Sequence, residues 1–91
     1  MKVTKIKMRR GCEFSDDVLE IDSLYIPNAA TPAFYKKEKV HEYLKEHPGT
    51  IYVDHYPFPD LIPATSPNGE KYVRSEPNET IRDNLLELPR E

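Results

Sequence analysis

The chain carries a single cysteine, Cys12, so no internal disulfide can staple it and no cysteine-rich metal site can form. Its core must come from apolar burial alone. No apolar run approaches the roughly 20 residues needed to cross a bilayer, and the basic start Met1 to Arg10 is not followed by the apolar segment and small-residue cleavage site of a secretory leader. A cytoplasmic protein with no membrane contact is expected. Glycine is scarce, three residues against nine prolines. Proline fixes one backbone torsion and removes a donor, so the loops are expected to be stiff. Low-complexity tracts, flexible linkers and internal repeats are absent, and 91 residues is the length of one domain, here 1–91. A chain of this size buries about two-thirds of its unfolded surface. That leaves little material for a deep cleft and makes a homodimer a natural source of further stability.

Catalytic patterns are missing too: there is no nucleophile elbow, no phosphate-cradling glycine loop and no HExxH. His41, His47 and His55, with Cys12 and Asp54, are the residues that could ligate a metal. His41 and His47 are six apart, about 600° around a helix, and do not share a face as an i, i+4 pair would. The expectation is no metal, no cofactor and no enzyme, with His41 exposed on a helix and His47 a cation suited to a helix C-terminus. Arg9 and Arg10 beside Cys12 favour its thiolate. No partner histidine is identifiable, however, and a small buried or idle thiol is expected.

Charge is unevenly spread. The chain holds 13 Lys and Arg against 16 Asp and Glu, net −3, yet Lys2, Lys5, Lys7, Arg9 and Arg10 fall in the first ten residues without an acid. Glu13, Asp16, Asp17, Glu20 and Asp22 follow at once. Opposite charges facing each other across an antiparallel pair contribute about 0.2–1 kcal/mol each, so the basic segment is expected to pair with the acidic one as a hairpin. The same bases can instead track phosphates while Tyr52, Tyr56 and Phe58 stack on bases. The acidic net charge argues against nucleic acid as a partner.

Val3 to Arg9 alternates with period 2, placing Thr4, Ile6 and Met8 on one side of a strand. Val18 to Ile26 reads as a second strand. Tyr35 to Glu46 has a helical stripe of Val40, Tyr43, Leu44 and His47, and Thr31-Pro32 offers a start as early as Pro32. Pro48 and Gly49 end it, and Ile51 to Val53 resumes as strand. Prolines 57, 59, 63 and 67 restrict any following strand to an edge or to a piece near Leu61 to Thr65. Ser66 to Gly69 is a turn, Lys71 to Ser75 a strand, and Thr80 to Leu88 a helical turn that Thr80 can cap, docking Ile81, Leu85, Leu86 and Leu88. The fold class is α+β: a small, mostly antiparallel sheet, one main helix on one face and a short C-terminal helical turn.

Lys71-Tyr72-Val73-Arg74-Ser75 followed by Asp83-Asn84-Leu85-Leu86-Glu87-Leu88-Pro89 resembles the closing signature of the short bacterial proteins grouped as domain of unknown function 3892. The element order fits that family across nearly the whole chain. The proline-rich stretch Pro57 to Pro67 departs from it, since a shorter polar hairpin is expected there. The resemblance implies a bacterial origin and the same small fold, and supplies no activity. Read physically, Arg74 is expected to pair with Asp83 as a structural lock, with Asn84 bonding strand backbone; the competing reading makes Arg74, Asp83 and Asn84 a polar ligand pocket, in a small-ligand binder or an enzyme.

The leading functional expectation is a noncatalytic protein-interaction or regulatory accessory domain. Stiff proline backbone around Tyr56, Phe58, Leu61 and Ile62 presents large side chains with little entropy left to lose on binding a protein partner. The same four residues could equally fold back on the core or fill a dimer interface.

Overall fold

In the computed structural model, which describes residues 1–79 and 82–91, the alternating start of the chain bends at Thr4. Strand β1, Lys2–Val3, runs parallel to β5, Tyr52–Val53, whereas β2, Lys5–Met8, runs antiparallel to β3, Ile21–Ile26. The bend places Val3 in the core together with Ile6 and Met8, so the strict alternation that put Val3 opposite them ends there. The expected strand from Val18 begins instead as a 3-10 turn, Val18–Glu20, because the Asp17 carboxylate accepts the Leu19 N–H at 2.9 Å.

The helix also starts later than its Thr31-Pro32 signal indicates. Ala33–Lys36 forms strand β4, antiparallel to β3 with Leu24 opposite Tyr35, and helix α1 covers Lys37–Glu46. Pairing satisfies a row of β3 backbone groups and packs Tyr35 against the core, which outweighs a local cap. The buried face of α1 is Lys37, Val40, His41 and Leu44, while Tyr43 stays partly exposed against the His47 ring. His41 is therefore a core residue rather than an exposed one.

Strands β6, Leu61–Thr65, and β7, Lys71–Ser75, pair as a hairpin about the expected Ser66 to Gly69 turn, closed by the Gly69 N–H donating to Ser66 O at 2.9 Å. Gly69 lies at φ +84°, where a side chain is strained. The hairpin tolerates Pro63 for a geometric reason. Glu76 N–H donates to Asp60 O and Ser66 N–H to Glu70 O, so even-numbered residues carry the ladder and odd-numbered N–H groups point away from it. Pro63, opposite Val73, removes a donor the hairpin does not use. On the outer side of β6, Leu61 N–H donates to Ile51 O at 2.8 Å, linking this hairpin to β5.

Helix α1 packs on β3, β4, β6 and β7. The chain closes with a 3-10 turn, Asn84–Glu87, capped by Asp83; the expected cap Thr80 and the docking residue Ile81 lie outside the described residues. Leu85, Leu86 and Leu88 are buried. Beyond them the backbone returns along β2, with Ile6 N–H donating to Pro89 O and Glu91 N–H to Ile6 O, both at 3.0 Å. The result is a small α+β fold with mostly antiparallel pairing. Among the described residues no helix is long and apolar enough to cross a membrane.

Candidate functional site

The loop after β5 divides the four residues expected to dock a partner. Leu61 is 1% exposed and belongs to the core, and Ile62 is half-buried in β6. Tyr56 and Phe58 do the reverse: 77% and 52% of their surfaces face solvent. Phe58 sits edge-on to Tyr52 and to Tyr56, with ring centroids 6.5 and 6.1 Å apart. Its backbone is left-handed, φ +60°, a conformation a β-carbon disfavours. The turn is closed by Phe58 N–H donating to His55 O at 2.8 Å; the Tyr56-Pro57 bond within it is cis.

What fixes it from below is the tail. Asn84 is 1% exposed, and its amide donates to Tyr56 O at 2.9 Å and His55 O at 3.3 Å while its oxygen accepts from Asn78 at 3.0 Å. Asp83 holds the other end, accepting from Ser75 N–H at 3.1 Å, Ser75 Oγ–H at 2.6 Å and Leu85 N–H at 3.0 Å. The expected partner of Asp83 was Arg74, and no ion pair joins them. Strand alternation explains the correction: Ser75 faces inward beside Val73, and Arg74 projects from the opposite face. Ser75 was the missed residue, and its signal was its place on the buried side of that alternation. Arg74 lines a cavity of about 330 Å³ together with Ser75, Glu76, Asn78, Asp83 and Asn84. Arg82, at its rim, pairs with Asp16 at 2.7 Å and Glu87 at 3.3 Å.

The charges of the N-terminal hairpin do not pair across it as expected. Register sets Lys5 opposite Tyr25 and Lys7 opposite Ser23. Only Arg9 reaches an acid of the following segment, Glu20 at 3.6 Å, and it also binds Glu70. Lys5 pairs with Glu91 at 3.2 Å and lies 4.8 Å from the Tyr25 ring centroid; Lys7 lies 4.9 Å from that of Phe34. Tyr25 and Phe34 are themselves 5.1 Å apart on neighbouring strands. Lys36 pairs with Asp22 at 2.9 Å.

A second polar cluster sits under the start of α1. Lys37 is 2% exposed, donating to Leu19 O at 2.6 Å and to Glu70 at 3.2 Å. Hydrogen bonds from Arg9 and then Lys37 hold the Glu70 carboxyl below the usual glutamate range. Cys12 lies 3.4 Å from a Glu20 carboxylate oxygen, and that contact raises its thiol pKa against the opposing pull of Arg9. His41 Nδ1 is 2.8 Å from Tyr72 O, tying the helix to β7. Among the described residues no three His, Cys, Asp or Glu side chains converge on a common point.

No curated protein and no solved structure matches the chain. The family model described as protein of unknown function (DUF3892) matches residues 2–89, nearly everything from β1 through the tail that clasps it, and the chain belongs to that family.

Proposed function

We propose that the protein is a noncatalytic binding module, an accessory domain that docks a protein partner through Tyr52, Tyr56 and Phe58. One observation carries this reading: two large aromatic side chains stand in solvent on a turn held by Asn84, although a domain this small gains most by burying its aromatics. Rings projected from a fixed backbone lose little entropy on binding and supply the anchors that dominate protein interfaces.

The test is a double replacement, Tyr56→Ala with Phe58→Ala, compared with the parent protein in extracts of its native host. The expected result is loss of captured protein with an unchanged thermal melt. Undiminished capture by the double variant, or its unfolding, contradicts the reading.

The cavity beside β7 favours a second reading, a site for a small acidic ligand. Asp83 is occupied by Ser75 and Leu85, and among the described residues the Arg74 guanidinium at the cavity wall has no ion pair, so it can receive a carboxylate or phosphate. A ligand that raises the melting temperature of the parent protein and not of Arg74→Ala would favour this site over the aromatic one.

A further inference from the structure

On the face of the three-stranded sheet β2-β3-β4 that bears Lys5 and Lys7, the side chains fall into two rows, with Tyr25 and Phe34 half-buried. Lys5, Tyr25 and Phe34 lie side by side in one row; Lys7, Ser23 and Lys36 form the next. Helix α1 and the core occupy the opposite face, where Ile6, Leu24 and Ile26 are buried. The face of Lys5 and Lys7 thus combines two adjacent aromatic rings with three lysines. Two carboxylates touch it, Glu91 on Lys5 and Asp22 on Lys36, and Lys7 meets none among the described residues. In a chain of net charge −3 this face carries a local excess of positive charge.

We propose that this face binds single-stranded nucleic acid. Phosphates are the anions that recur at short intervals beside flat, apolar rings, and the two rows offer both complements at once: ammonium groups for the backbone, and Tyr25 and Phe34 for two successive bases. The lysines already lie on the ring faces, Lys5 at 4.8 Å from Tyr25 and Lys7 at 4.9 Å from Phe34. Their long stems are flexible, so a base that stacks on a ring displaces the ammonium toward the flanking phosphate. Double-stranded DNA fits this face poorly, because its bases are stacked on each other and cannot reach the rings.

Fluorescence anisotropy of a labelled 12-residue oligothymidine at low salt tests the proposal, with double-stranded DNA of the same length and heparin as charge controls. The parent protein should bind the single strand more tightly than either control, and log K should fall with log salt with a slope between about −0.7, for Lys7 alone, and about −2, for Lys5 and Lys36 leaving Glu91 and Asp22 to join it. Phe34→Ala should weaken binding about 5- to 100-fold, the range for one lost base–aromatic stack. Lys7→Glu, at an exposed position that does not endanger folding, should abolish it. Equal affinity for heparin and the single strand, or no effect of Lys7→Glu, overturns the proposal. The Tyr56→Ala, Phe58→Ala variant should bind the oligonucleotide as the parent does, so failure of the protein-docking reading and failure of this one are separable.

Discussion

Phe58 and Leu61 are three residues apart, both apolar and both in the proline-rich stretch, and they have opposite fates. Nothing in their chemistry separates them; the ladder does, since Leu61 is an odd-numbered residue whose side chain points into the core beside Ser75. Leu61→Ala should therefore cost about 2–5 kcal/mol in urea denaturation. Phe58→Gly should change stability by less than about 1 kcal/mol, because glycine accepts φ +60° without strain, which offsets the loss of a ring that is only about half buried. A loss above about 2 kcal/mol would show that the ring is a structural element rather than a free surface. Asp83 gives the same lesson in polar form. Opposite charge made Arg74 its natural partner in the sequence, but the side of the strand decides, and Ser75 is on that side. Asp83→Ala removes three hydrogen bonds and strands the Ser75 amide, so a loss of about 2–4 kcal/mol is expected, while Arg74→Ala should cost under about 1 kcal/mol.

At the scale of elements, patterns carried by several residues were legible and boundaries set by pairing were not. The β6-β7 hairpin, its turn and the strand after α1 fall where proline, glycine and β-branched residues put them. The start of α1 does not, because Ala33–Lys36 is recruited to β3, and that shift also brings Lys37 and His41 under the helix. The buried lysine creates an acid sensitivity that the sequence alone did not disclose. Glu70 titrates below its ordinary value of 4.5 because Arg9 and Lys37 bond its charged form. A carboxyl depressed in the folded state contributes stability that is complete above the unfolded value and is lost as pH falls through the folded one. Glu70→Gln should therefore lower the melting temperature most near pH 7 and flatten its decline below about pH 4.5, where the parent protein loses the same contribution. An unaltered acid limb would show that the Lys37 cluster does not govern acid stability.

For the whole molecule, the tail decides whether the surfaces are rigid. The Cα radius of gyration, 11.9 Å, is close to the roughly 12 Å expected of a folded chain this long, and residues 83–91 contribute to it on three sides. Asp83 binds β7, Asn84 binds the aromatic turn, and Pro89 and Glu91 bond β2. The family signature was the sharpest part of the sequence, and it coincides with this clasp; the cavity and the lysine-aromatic sheet face arise from contacts distant in sequence and left no comparable local mark. Amide hydrogen exchange measured by NMR in the native state tests the clasp most directly. The amides of Ile6, Ser75 and Leu85 should exchange as slowly as core amides such as Leu24, and all three should accelerate together in Asp83→Ala. Rapid exchange at Ser75 and Leu85 in the parent protein, beside a protected Leu24, would show that the tail is not part of the rigid frame and would remove the support proposed for Tyr56 and Phe58.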